Sequence, residues 1–271
     1  RVDPRRGTRT SLQANGGQPL LPAGQRVRAL ACTDSALWLS HAQGLVRVDP
    51  ATGAVESLAA EAERAHAPAP GVANLMAVDA AGGVWIALAG GALQRLDPAS
   101  RQVRRYVPGV DGPRDGELEQ LVFDRDGRLW TAGKGGIDRF DPAQDRFIAI
   151  EGVPAGRIDG LAFDADGLPW VHTLTELVHG AIEGTRFVER RRVGAAQGLP
   201  VARVAGLAID GAGTLWLAGA RGLVRYDPAR GSVRAYGVAE GPAALVPGTR
   251  VAQPASAGLL TFGPARGVIA V

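Results

Sequence analysis

The chain has 271 residues, of which 46% are apolar, and a formal net charge of +3. No run reaches the ~20 consecutive apolar residues that a membrane-spanning helix needs, so no such helix is expected. Lys134 is the only lysine; the positive charge lies on arginines scattered through the chain rather than gathered in a stripe with aromatics, so nucleic acid is not an expected partner.

The chain begins at Arg1-Val2-Asp3-Pro4, inside a repeat and without an initiator methionine, which reads as the product of processing, truncation or a designed boundary. Residues 1–25 hold a turn and one expected outer strand over Thr8–Gln13. Five units of four short strands follow, at about 26–58, 72–107, 117–150, 157–191 and 201–236, and residues 250–271 carry the first three strands of another. The beat is set by tryptophan: Trp38, Trp85, Trp130, Trp170 and Trp216 are 47, 45, 40 and 46 residues apart. The third strand ends in Asp-Pro at Asp49, Asp97, Asp141 and Asp227, and only the Trp170 unit lacks that pair. Upstream of each Trp an apolar run closes, in most units, with an acidic glycine turn, as in LVFDRDG over 121–127.

A four-stranded unit repeated at about 40–50 residues is the pattern of a β-propeller blade. The expectation is therefore an all-β fold, a single β-propeller domain over 1–271 with six four-stranded blades. The last blade is completed by strands from both chain ends, which removes an exposed sheet edge. Seven blades are the alternative. Glu119, Leu121 and Phe123, like Asp159, Leu161 and Phe163, place alternate residues of an innermost strand on one face, apolar below a polar first member. The tryptophans are expected to fill the wedge between neighbouring sheets, and the Asp-Pro turns to be scaffold. Cys32 aligns with Phe123 and is expected to be a small buried hydrophobe. Arg47, Arg95, Arg139 and Arg225 recur at one blade position as solvated or Asp-paired residues, and Arg190-Arg191-Arg192 reads as a solvated strand end.

Recognition on such a scaffold belongs to the variable segments between blades, 59–71, 108–116, 192–200 and 237–248. The polar first residues of the inner strands, Arg28, Asn74, Glu119 and Asp159, form one column around the expected channel mouth. His41, Lys134, Glu176, Arg221 and Arg266 join them from the turns between second and third strands. This mixed set of donors and acceptors suits a small polar ligand, polyhydroxylated or zwitterionic, with carbohydrate one candidate class. The fourth unit departs from the others: WVHTLTELVHGAIEG (170–184) loses its glycine-rich turn and gains His172, Glu176, His179 and Glu183. His172 and His179 are the alternative metal-binding pair, although seven residues of separation tends to set them on opposite faces unless the turn brings them together.

The passage GTLWLAGARGLVRYDPARGSVRAY (213–236), preceded by Gly198-Leu199-Pro200, resembles the two-component regulator propeller repeat, and weaker copies run through the first three units. The resemblance implies the extracytoplasmic, periplasmic sensor portion of a bacterial hybrid sensor kinase or diguanylate cyclase, with a signalling module as partner. No nucleophile elbow, phosphate loop or cysteine-pair metal site is discernible, and no cofactor is expected. The first reading is thus a non-catalytic ligand sensor. The enzyme alternative is a metal-assisted lyase or hydrolase like the streptogramin lyase propellers, which depend on His and Glu; the third reading is a protein-interaction scaffold.

Overall fold

The computed structural model describes residues 2–3, 8–9, 20–21, 25, 27–33, 35–59, 73–200, 202–219, 222–236, 250–255, 259–263 and 269–270. Short alternating apolar runs, each closed by a turn that needs Asp, Pro or Gly, fold as antiparallel meanders. At the amino end β1 (Val2–Asp3) pairs with β2 (Thr8–Arg9); the rest of the expected outer strand, 10–13, lies outside the described residues. The first four-stranded sheet is β3 (Leu30–Cys32), β4 (Leu37–His41), β5 (Gly44–Val48) and β6 (Val55–Ala59). The second is β7 (Ala73–Val78), β8 (Val84–Leu88), β9 (Leu93–Leu96) and β10 (Val103–Tyr106). The third is β11 (Leu118–Phe123), β12 (Leu129–Gly133), β13 (Gly136–Asp141) and β14 (Arg146–Ile150). The fourth is β15 (Gly160–Phe163), β16 (Pro169–His172), β17 (Leu177–Glu183) and β18 (Arg186–Val193). The fifth is β19 (Val204–Ile209), β20 (Leu215–Gly219), β21 (Gly222–Asp227) and β22 (Ser232–Tyr236). A three-stranded sheet follows, β23 (Arg250–Ala255), β24 (Leu259–Gly263) and β25 (Ile269–Ala270).

The fold is all-β, and a single 3-10 turn at Ala195–Gln197 is the one helical element among the described residues. By its contacts the chain forms two compact units, Arg1–Glu117 and Leu118–Val271. In the first unit β3 lies against β7; in the second the first strands β11, β15, β19 and β23 neighbour one another in order. Side chains between successive sheets form the cores. One cluster joins Trp38 and Leu45 to Val84, Ile86 and Leu96. Another joins Trp130, Ile137 and Ile150 to Leu161, Val171 and Phe187, and a third joins Trp170, Leu177 and Val193 to Leu207, Leu215 and Tyr226.

All five tryptophans are buried, as their wedge-filling role requires. Three of them also anchor the turn between first and second strands. The indole N–H of Trp85 donates to Asp79 Oδ2 at 3.0 Å, that of Trp130 to Asp124 Oδ2 at 2.8 Å, and that of Trp216 to Asp210 Oδ2 at 2.8 Å. The third-strand arginine completes the motif: Arg95 Nε donates to the same Asp79 oxygen at 2.7 Å, and Arg139 lies over the Trp130 ring. In the Asp-Pro turns the carboxylate accepts the next turn amides, as Asp49 Oδ1 does from Ala51 at 2.8 Å and Thr52 at 3.0 Å.

Cys32 corrects its expectation: it is exposed. In β3 the burial alternates, and Ala31, opposite Trp38, takes the covered side. The first turn here is also one residue shorter, so Thr33 replaces the usual Asp and its Oγ1 accepts the Ala36 amide at 2.9 Å.

Candidate functional site

In the second unit, the ends of the third, fourth and fifth sheets where the first strand begins bring together side chains from three sheets. Glu119 sits at a bulge in β11, between Leu118 and Gln120, where the register with β12 slips. Nη2 of Arg157, from the segment before β15, and Nη2 of Arg203, immediately before β19, both reach Oε1 of Glu119, the second at 2.9 Å. Arg157 and Arg203 occupy one column of the repeat, thirteen residues before Trp170 and Trp216; Glu119 and Asp159 occupy another, eleven before Trp130 and Trp170.

Beneath this ion cluster lies a buried pair. Asp159 Oδ1 is 2.6 Å from His172 Nδ1, and the two side chains are 2% and 1% exposed. A carboxylate oxygen accepts, so the ring donates through Nδ1 and its Nε2 is left pointing away from Asp159. Asp159 is held on both remaining sides. Its Oδ2 accepts the Val204 amide of the fifth sheet at 3.2 Å, and its carbonyl accepts Gln120 Nε2 of the third at 3.2 Å. At the position two residues after each Trp the other sheets carry Ser40, Ala87, Ala132 and Ala218, all small. The imidazole fits because its partner across the ladder is Gly160. A Cβ there would stand 2.9 Å from Leu207 Cβ and 3.0 Å from His172 Cβ.

His179 has a different role. The register pairs His172 with Leu177 and Trp170 with His179, so the hairpin does bring both histidines onto one face. Each is nevertheless held by its own carboxylate: His179 Nε2 is 2.9 Å from Asp164 Oδ2, and its ring stacks on Trp170 at 4.4 Å. His179 thus stands where the other sheets carry Arg47, Arg95, Arg139 and Arg225 opposite Trp, and it makes the contacts that Arg95 makes with Trp85 and Asp79. Among the described residues no group of three or more His, Cys, Asp or Glu side chains is placed to hold a metal ion.

Of the other expected site residues, Glu176 is half-buried and pairs with Arg192. Arg192 also binds Glu189 at 2.5 Å, and that hydrogen bond holds the Glu189 carboxyl below its ordinary value. Lys134 is exposed in the turn after β12. In the first unit Arg28 is exposed, Asn74 is half-buried at the β7 bulge, and His41 is buried at the end of β4. His41 Nδ1 accepts the Gln43 amide at 3.3 Å, and burial lowers the imidazole's pKa. Arg221 and Arg266 lie outside the described residues, as do 60–71 and 237–248 of the expected recognition segments. The sequence column thus finds Glu119 and Asp159 together; Arg157, Arg203 and Gln120 join them from positions that it did not single out.

No protein-family model matches the chain, and no curated protein matches it. Solved structures do. The extracellular domain of a B. thetaiotaomicron protein described as a one-component system is similar at a TM-score of 0.68 and 14% identity, over 96% of this chain and 37% of that one. The extracellular domain of a B. thetaiotaomicron protein described as a hybrid two-component system is similar at a TM-score of 0.66 and 14% identity, over 90% of this chain and 33% of that one. A catalytically inactive virginiamycin B lyase from Staphylococcus aureus, with quinupristin, gives 0.66 and 13%, over 91% and 80%. The likeness is one of fold, of propeller type. The two extracellular domains are consistent with the two-component regulator propeller resemblance carried by the repeats. The chain spans about a third of the length of those two structures.

Proposed function

We propose that the chain is the ligand-binding propeller of an extracytoplasmic bacterial sensor, and that its small polar ligand binds over Glu119, Arg157 and Arg203. The observation that carries this reading is the convergence of three charged side chains from three successive sheets above a buried Asp159–His172 pair. Scaffold alone does not call for it, since the sheets are already tied internally by Trp and turn-Asp contacts such as Trp85–Asp79, Trp130–Asp124 and Trp216–Asp210. The extracytoplasmic setting and the coupling to a signalling module rest on the resemblance to extracellular domains of one-component and hybrid two-component systems. A ring of six blades closed by strands from both chain ends belongs to the same proposal.

The Asp159–His172 pair is a specific feature in favour of a second reading, a lyase or hydrolase, because an imidazole oriented through Nδ1 presents Nε2 as a base. A thermal-shift screen of the purified chain against mono- and oligosaccharides, amino acids and divalent metals, with and without chelator, separates the two. A ligand at a hundredfold its Kd stabilises the folded state by about 2.7 kcal/mol. The sensor reading expects an organic ligand whose shift survives chelation, is lost in Arg157→Ala, and is not followed by turnover. Consumption of the ligand that stops in His172→Ala would replace it with the enzyme.

A further inference from the structure

The cluster over the fourth sheet holds charged groups of both signs in equal number. Two carboxylates, Glu119 and Asp159, stand with two guanidiniums, Arg157 and Arg203, so net charge selects neither an anion nor a cation. Asp159 has little left to offer a ligand, since its oxygens are taken by His172 and the Val204 amide. Glu119 and Arg203 differ from it. Both arginines meet Glu119 at Oε1, its Oε2 has no partner among the described residues, and the side chain is 20% exposed. Arg203 is 60% exposed and touches Glu119 through Nη2 alone, so its Nε and Nη1 meet no acceptor among the described residues. The site thus sets a free negative acceptor beside a free positive donor fork, and the contact between the two side chains is 2.9 Å.

From this we infer that the ligand is a zwitterion whose two charges flank one carbon, an α-amino acid. Its carboxylate takes the two-point pair that a planar guanidinium offers at Arg203, and its ammonium donates to Glu119 Oε2. A single α-carbon holds those two groups close enough to meet neighbouring charges of opposite sign. A neutral sugar is the competing class. The faces of its ring are apolar, and ligand sites cover such surface mainly with aromatic and aliphatic side chains; here every described Trp, Tyr and Phe side chain is already buried or half-buried. This inference rests on the ligand-binding reading above and adds the chemical class of the ligand.

The test is titration calorimetry of the full chain with each of the twenty standard amino acids, and then with the amide and the N-acetyl derivative of the one that binds most tightly. The amide lacks the carboxylate and the N-acetyl derivative lacks the ammonium, so each binds at least tenfold more weakly than the amino acid. Arg203→Gln closes the gap between the amino acid and its amide, and Glu119→Gln closes the gap between the amino acid and its N-acetyl derivative. A residue that only holds the fold would weaken all three probes alike. Far-UV circular dichroism and the unfolding midpoint confirm that both variants are folded, and the comparison of probes on the wild type depends on neither. If the amide or the N-acetyl derivative binds as well as the amino acid, or if the variants leave both gaps open, the zwitterion inference falls. Binding of D-glucose in place of any amino acid, lost in Arg157→Ala, also overturns it while the sensor reading stands. Absence of binding by all twenty overturns it as well and leaves the sensor reading to its own wider screen.

Discussion

Trp130 shows how much of each sheet hangs on one carboxylate. Asp124 Oδ2 accepts the indole N–H at 2.8 Å and Arg128 Nε at 2.7 Å, while Oδ1 accepts the amides of Asp126 and Arg128 at 3.0 and 2.9 Å. Asp124→Ala orphans a buried indole N–H and two turn amides together. A cost of about 2–3 kcal/mol is expected, read as a lower midpoint in urea unfolding. Tyr226 makes the opposite case. It is fully buried with its hydroxyl unpartnered, its ring edge-on to Trp170 and covered by Arg191. A buried hydroxyl without a partner contributes only its desolvation penalty. Tyr226→Phe therefore keeps the packing and leaves stability unchanged or higher, by up to about 1 kcal/mol in the same experiment. A clear loss would mean that the hydroxyl has a partner.

At the scale of the element, the fourth sheet is where sequence and structure diverge most usefully. Four of its strands were legible because Trp170 keeps the beat and LAFDADG repeats the turn of its neighbour. The role of His179 was not, because a seven-residue separation says nothing of parity until the hairpin register is known, and that register pairs Trp170 with His179. Once the register is fixed, His179 is the local form of a repeated arginine, so His179→Arg is expected to fold with a midpoint close to the wild type. Arg157 and Arg203 escaped notice for another reason: they precede their strands in connections that lack the alternation of the strands themselves, and only their shared spacing to Trp marks them. The His172 pocket was legible in principle, as a large residue in a column of Ala and Ser opposite a glycine. Gly160→Ala forces a methyl against Leu207 and His172 and is expected to cost about 1–3 kcal/mol. His172→Gly removes the Cβ that the new methyl would meet at 3.0 Å, so the double variant should lose less than the sum of the singles. Strict additivity in denaturant titrations would show that the two residues do not share that space.

For the whole molecule, the lowered pKa values set a pH profile of stability. Turn amides pull Asp49 and Asp97 below the ordinary carboxylate value, and the Arg230 side chain does the same for Asp227. Burial pushes Asp79 and Asp111 up, but hydrogen bonds from Arg95, Gly83 and Trp85 in one case, and from Val107 and Arg104 in the other, outweigh it and leave both low. A carboxyl that is more acidic folded than unfolded stabilises the protein above the unfolded value of about 3.9, and loses that contribution as pH falls through the folded value. His41 adds an earlier step. Burial depresses its pKa, so between the folded value and about 6.5 the unfolded chain binds the extra proton, and stability declines as pH falls through that range. The unfolding midpoint should thus decline in two stages on acidification, the first beginning near pH 6.5 and the second below about pH 4. His41→Gln retains a group that can accept the Gln43 amide but cannot titrate, so it should flatten the first stage and leave the second intact. An unchanged slope between pH 6.5 and pH 5 in that variant would assign the first stage to another group.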